Sequence, residues 1–441
     1  MNKKRISSAD NFLQLEGNLM LKSFALKNFQ SFKERSEISF LMNERELSDE
    51  WAVQRSSGEI LGTVLGIWGA NASGKTSILK AFSFLSFFLQ DSFEELGRSE
   101  KIPVESWFNV ESPTLFEVVW VDNKGTVLTY HLELTKNFVH KEFLTRRPKG
   151  QGGSGATIFR RNWDTKENEY ILFFGDSSKA HFEKYIKVAK SFRKNTSFIS
   201  SFLQHRPDSQ LKILTLSGSN VTATGHLSTD ELAERITGHY FKNPNLFEKA
   251  CQYLRKIDLG LTNLEIKQEK VNLPPSIIAQ IEEKSKEMPE LKKILEEGPI
   301  SLEAYGLHDI GNNQVQKLPL NKESSGTRAL YALLGLIIPL LQKGGQVILD
   351  EIDNDLHPHI VEDLLELFND NETNPGHAQL IFVSHNPHFM RRIGKSHIWL
   401  TEKIEGTSEA YSLSQMKGVR SDENFEAKYL GGAYGALPFG S

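Results

Sequence analysis

The stretch "GANASGKTS" (69–77) meets the G-x-x-x-x-G-K-[ST] spacing in full. Its chemistry follows from its residue types. Gly69 and Gly74 let the main chain wrap tightly, so that N–H groups along Asn71, Ala72 and Ser73 can point at phosphate oxygens. Lys75 sets a positive charge on the β- and γ-phosphates of a nucleotide, the Thr76 hydroxyl can ligate Mg2+, and Ser77 carries the motif into a helix. The apolar "TVLGIW" before it and the helical spacing after it supply the strand–loop–helix context that makes the match informative.

Two other strand ends carry matching chemistry. "QVILDEIDNDLHPH" (346–359) is an apolar strand ending in Asp350 and Glu351. Beside a phosphate loop, Asp350 holds the Mg2+ shell and Glu351 polarises the attacking water. Taken alone, an acidic pair after a buried strand is also an ordinary loop. Asp353 and Asp355 form a D-x-D, which reads as a loop at a subunit contact rather than as a metal nuclease. "QLIFVSHNPHFM" (379–390) ends in Ser384 and His385, and a His placed there can hydrogen-bond a γ-phosphate and order the water. A fourth stretch, "KESSGTRALYALLG" (322–335), opens an apolar helix with Ser324, Ser325, Gly326 and Thr327. This is either a second anion-binding turn or a helix start capped by Ser324 or Ser325.

The elements that must position these residues are legible in outline. From Leu21 the chain alternates apolar and polar like an antiparallel hairpin, and "TLFEVVWVDNKGTVLTYHLEL" reads as two strands around an Asp-Asn-Lys-Gly turn. Residues 1–20 are polar and read as a tail. The span 21–150 is the first part of an α/β core. The span 151–300 reads as a mostly helical, highly charged insertion without a sustained heptad run. The span 301–441 returns to strand, turn, helix, strand, helix and strand. An ATPase core split by an insertion accounts for this order better than two unrelated domains.

Bulk properties narrow the classes. The chain has 441 residues, 24% charged and 39% hydrophobic, with a net charge of -4. This is a globular balance, and a protein that coats DNA wholesale would be basic, so any nucleic-acid contact must be a local patch. The single cysteine, Cys251, allows no internal disulfide, which fits a reducing cytoplasm. The basic start "MNKKRISSADNF" has no apolar core behind it, as a signal peptide would, and the apolar run 329–341 is too short to span a bilayer.

The order of motifs resembles the ABC-type ATPases: P-loop, long insertion, Ser-Gly signature, Asp-Glu strand, switch His. The resemblance implies an α/β ABC-type P-loop head, a mixed sheet with flanking helices plus an antiparallel β lobe, carrying a helical insertion. It also implies that Ser324–Thr327 caps the γ-phosphate of ATP held by a second copy. The start "LKSFALKNFQSFKE", the "N-A-S-G-K-T" loop and "DEIDNDLHPH" are similar to SMC-like and OLD-like ATPases. "YLRKIDLGLTNLEI", "KESSGTRALYAL", "SHIWLTEK" and the tail "YLGGAYGALPFG" resemble the stand-alone AAA-ATP-binding group of OLD-like proteins. That group includes ATPase subunits of bacterial antiphage systems. The signature is not Leu-Ser-Gly-Gly-Gln, and "PVESWFNVESPT" (103–114), where a Q-loop glutamine is expected, has none.

Residues 386–441 are too few for the Toprim nuclease of OLD proteins, so the resemblance points to a separate effector. The expectation is an ATP- and Mg2+-dependent homo-oligomer paired with a Toprim-like nuclease, as in the PARIS type, or with an HNH nuclease, as in the Septu type, and triggered by a phage protein. The alternative is an SMC-like DNA-repair or DNA-maintenance ATPase with a basic groove built from "TRRPKG", "FRRN" and "SFRKN".

Overall fold

The computed structural model describes residues 13, 15, 17–42, 50–214, 229–257, 260–270, 275–284, 300–354 and 356–437. The chain divides into two compact units. The first is Met1–Thr224 with Leu340–Asn354 and Val361–Ser441; the second is Gly225–Pro339 with Asp355–Ile360.

The first unit holds two large sheets. One has five strands in the order Gln346–Leu349, Gln379–Val383, Val64–Gly69, Ile398–Ile404, Thr407–Ser412. The first four are parallel and the last turns back in a hairpin. Strands such as "VLGIWG" and "QLIFV" are buried throughout, as parallel strands covered on both faces must be. The other sheet is antiparallel, with seven strands in the order Glu169–Phe174, Ala156–Asp164, Val139–Arg147, Val127–Leu134, Thr114–Val121, Met20–Lys27, Ser36–Ser39. Here "TLFEVVWV" alternates buried and half-buried residues, the pattern of a sheet with one covered face.

The helix Lys75–Gln90 shares one core with both sheets. Ile78, Leu79, Phe82, Phe84, Leu85, Phe88 and Leu89 are buried, too many faces for a helix that lies on the surface. Phe82 stacks on Phe24 with centroids 4.0 Å apart, and Phe84 stacks on Phe116 at 5.3 Å. Leu65 and Ile67 of the central strand belong to the same cluster. The helix that begins at the phosphate loop is thereby clamped along its length.

The second unit is a three-stranded antiparallel sheet, Asn263–Lys270, Ile300–Asp309 and Val315–Pro319, with the helices Thr229–Lys242 and Pro244–Lys256. The helix Ser325–Lys343 belongs to this unit as far as Pro339. Within the unit, Tyr240 Oη donates to the Tyr331 carbonyl and Thr237 Oγ1 bonds Tyr331 Oη, both at 2.9 Å. By length and composition the helix could cross a bilayer, but Leu330, Tyr331, Ala332, Leu334 and Ile337 are fully buried, the pattern of a core helix.

The structure differs from the sequence expectation in two places. The span 151–300, expected mostly helical, contains the strands Ala156–Asp164, Glu169–Phe174 and Asn263–Lys270. The first two extend the antiparallel sheet, because "ATIFRRNWD" and "EYILFF" pair across a turn that Asn168 enters with φ +53°. Within the expected tail 1–20, Leu13 is buried in the main core, its N–H donating to Gln210 Oε1 at 2.9 Å; residues 1–12, 14 and 16 lie outside the described residues.

A buried ion pair joins this sheet to the helix Phe198–His205. Glu142 and Arg161 sit on neighbouring strands, at 0% and 1% exposure, with Arg161 Nε donating to Glu142 Oε2 at 2.7 Å. Glu142 also accepts from Tyr130 Oη at 2.9 Å, Ser197 Oγ at 3.1 Å and the Phe198 N–H at 2.9 Å, while the guanidinium covers the Tyr170 ring at 4.5 Å. Removing one partner leaves a buried charge uncompensated. Arg161→Met is expected to destabilise the protein by about 3–5 kcal/mol in urea unfolding, and the double variant with Glu142→Met to recover part of that loss.

Candidate functional site

The P-loop strand ends at Gly69, where a Cβ would lie 2.2 Å from the Thr401 carbonyl oxygen on the adjoining strand. At Gly74, φ is +112° and a Cβ would lie 2.7 Å from Ser408 Oγ. Both motif glycines are therefore required by close approach of the loop to the hairpin 398–412, as well as by the wrap itself. Ser73 is buried and its Oγ meets Thr401 Oγ1 at 2.6 Å; Ser77 Oγ meets Ser31 Oγ at 3.2 Å. Ala72 takes φ +61°, and Asn71 and Ala72 form the exposed crest.

Lys75 is buried, and its Nζ donates to the Gly69 carbonyl at 2.8 Å and the Ala70 carbonyl at 2.9 Å. Burial lowers its pKa, and the negative charges of Asp350 and Glu351 oppose the shift. The ammonium is thus held inside its own loop by two carbonyls, which phosphate oxygens could replace.

Asp350 follows the strand Gln346–Leu349, with the Thr76 side chain near enough to favour its ionised form. Burial raises its pKa; the Thr76 hydroxyl and Lys75 pull the other way, and Glu351 pushes it further up. Asp350 Oδ1 is buried with no hydrogen-bond partner. A carboxylate oxygen aimed into a polar site beside a hydroxyl fits a hard divalent cation such as Mg2+, which takes one or two protein oxygens and completes its shell with phosphates and water. Among the described residues no group of three His, Cys, Asp or Glu side chains could hold a metal.

Glu351 has φ +50°, an uncommon conformation for a residue with a Cβ. The turn is held by the Ile352 N–H, which donates to the Val383 carbonyl at 3.0 Å, and by the Asn354 N–H, which donates to the Glu351 carbonyl at 2.8 Å. These bonds bring the acidic strand end to the His strand end, where His385 Nε2 lies 3.8 Å from Glu351 Oε1 and both side chains remain open to solvent. Trp68 Nε1 donates to the Asn386 carbonyl at 3.0 Å, tying the loop that carries His385 to the P-loop strand. Lys75, Thr76, Asp350, Glu351 and His385 therefore gather at the carboxyl edge of one parallel sheet.

The signature turn lies in the second unit. Ser324 Oγ accepts from the Thr327 N–H at 3.0 Å and shares a hydrogen bond with Thr327 Oγ1 at 2.8 Å, so Ser324 is a helix cap. Thr327 is buried, whereas Ser325 is exposed and Gly326 half-exposed. Their N–H groups belong to the first helical turn, which has no intrahelical acceptor. Of the D-x-D, Asp353 is half-buried and Asp355 lies outside the described residues.

Sequence reasoning passed over Thr401, Ser31 and Gln30. Gln30 enters the region where a Q-loop glutamine was expected: its N–H donates to the Glu105 carbonyl and its Nε2 to Glu105 Oε2, both at 2.8 Å. Only the spatial approach of the N-terminal hairpin loop marks it. The raised pKa of Asp350 gives a signed expectation. A carboxyl whose folded pKa lies above its unfolded value loses stability as pH rises through the folded value. Asp350→Asn should therefore raise the melting temperature without ligand at neutral pH, while abolishing the additional stabilisation by ATP that depends on Mg2+; thermal scans with and without nucleotide and metal check both.

A family profile described as "AAA domain, putative AbiEii toxin, Type IV TA system" matches residues 64–391. No curated protein matches the sequence. Among solved structures, an SMC head bound to the C-winged helix domain of ScpA aligns with a TM-score of 0.41 at 16% identity, covering 90% of this chain and 98% of that one. The recombination mediator RecF of the RecFOR pathway, with ATPrS, aligns at 0.36 and 14% identity, covering 90% of this chain and 100% of that one. RecF with ATP aligns at 0.35 and 14%, covering 90% and 98%. Because the profile runs from the P-loop strand to beyond His385 and takes in most of the chain, the protein belongs to this AAA-domain family of ATPases.

Proposed function

We propose that the protein is an ABC-type ATPase that binds ATP with Mg2+ and hydrolyses it at an interface between two copies, and that this cycle holds and releases a separate nuclease or toxin effector in bacterial antiphage defence. The observation that supports the enzymatic half most directly is the juxtaposition of Lys75, Thr76 with Asp350, and the Glu351–His385 pair at one sheet edge. Lys75 would bind the β- and γ-phosphates. Thr76 and Asp350 would hold Mg2+, which screens the phosphate charge when bound. Glu351, open to solvent, would accept a proton from water in line with the γ-phosphate, and His385 would hydrogen-bond that phosphate.

The second half rests on the signature. Ser325 and Gly326 remain accessible after Ser324 has capped the helix, and the first-turn N–H groups suit a phosphate donated from outside the chain. An interface completed by the γ-phosphate strengthens with ATP and weakens on hydrolysis. The defence role follows from the motif resemblance and is in keeping with the toxin–antitoxin wording of the family description; an effector in a separate chain, a Toprim-like or HNH nuclease, would complete the system.

A DNA-repair role is the second reading, and the basic stretches bear on it. Arg161 is consumed by its buried pair with Glu142, and Arg193 donates to the Leu96 and Phe93 carbonyls. Two arginines of the supposed groove are thus structural, which favours the first reading.

Glu351→Gln should lower ATP turnover by about a hundredfold or more while leaving ATP bound, and should stabilise the ATP-dependent oligomer. Lys75→Ala should prevent both. Hydrolysis and sedimentation are the measurements, and wild-type turnover by Glu351→Gln would refute the assignment.

A further inference from the structure

The residue just before the signature carries a carboxylate that is almost wholly buried. Glu323 is 8% exposed, and its Oε1 lies 2.7 Å from Nε2 of His308 on the strand Ile300–Asp309. The other ring nitrogen, Nδ1, lies 3.1 Å from the Gly260 carbonyl oxygen. Gly306 makes room for the carboxylate: a Cβ there would lie 2.1 Å from Glu323 Oε1. Arg328, one turn into the helix, donates to the Glu323 carbonyl at 2.8 Å and pairs with Asp230 at 2.8 Å. The signature turn is thereby pinned on both sides, by a side chain beneath it and by a guanidinium across it.

We propose that His308 is a positioning residue for the signature turn: by holding the Glu323 carboxylate it presents Ser325 and Gly326 to the ATP of a second copy. This rests on the reading of the signature given under Proposed function. A carboxylate only accepts, so ring Nε2 carries the proton of this bond, and Nδ1, beside the Gly260 carbonyl, anchors the ring at its other edge. On the same sheet face the cross-strand neighbours are Gln316, opposite His308, and Leu264, opposite Gly306, both uncharged.

Rescue by a conservative variant gives a readout that a merely structural role would not move. Association of the Glu351→Gln protein by ATP is measured by sedimentation. His308→Leu should need at least tenfold more ATP to associate, the scale of a lost hydrogen bond to a charged group, while binding of a fluorescent ATP analogue to the monomer stays within about twofold. His308→Gln, whose amide N–H can still donate to the Glu323 carboxylate, should recover most of the lost association. A circular-dichroism melt of each variant separates misfolding from mispositioning. Parental ATP dependence in His308→Leu, or no recovery in His308→Gln, would overturn the positioning role alone. Failure of the parent to associate with ATP would overturn the signature reading and this role together.

Discussion

The structure depends on keeping one ammonium in a nearly closed setting. Lys75 is buried among carbonyl oxygens of its own loop, and desolvation works against its charge. Asp350 and Glu351 offset this from the neighbouring strand end, and Asp350 is itself penalised by burial. Neither charge is fully satisfied by the protein: Asp350 keeps a buried oxygen without a partner. Such a site is a stored deficit that a cation and a triphosphate would make good, and the fold must hold it open without letting it collapse.

Two features do this. The parallel sheet aligns the carboxyl ends of Val64–Gly69, Gln346–Leu349 and Gln379–Val383, so that loop, acids and histidine emerge at one edge. The helix Lys75–Gln90 is wedged into the core by its phenylalanines, which fixes its first turn relative to that edge. The loop itself leans on the hairpin through Ser73–Thr401 and on the N-terminal hairpin loop through Ser77–Ser31. The left-handed backbone at Ala72 and Glu351 is affordable because these contacts over-determine it.

The second unit carries the other candidate anion turn, and most of that turn's polar groups are engaged within the unit. Ser324 and Thr327 spend their hydroxyls on each other, Arg328 spends its guanidinium on main-chain carbonyls and Asp230, and Glu323 spends its carboxylate on His308. Ser325 is exposed and Gly326 half-exposed beside them.

The motifs, their order and the α/β class were legible because each is local. A P-loop is nine consecutive residues with a strand before and a helix after, and continuous burial of "VLGIWG" is written in its composition. The strands Ala156–Asp164 and Glu169–Phe174 were not legible: "FRRNWD" looks charged, and only pairing across the sheet buries Arg161 against Glu142, nineteen positions away in the chain. Thr401, Ser31, Gln30 and His308 escaped for the same reason, since nothing in their neighbours announces a contact with a distant turn. The sequence by itself determined which groups could bind a triphosphate and in what order they come, because backbone curvature and side-chain chemistry act within a few residues. Only the tertiary structure decided which of them meet, which charges are stranded without partners and which serine of the signature is already spent, because those depend on approach between segments far apart in the chain.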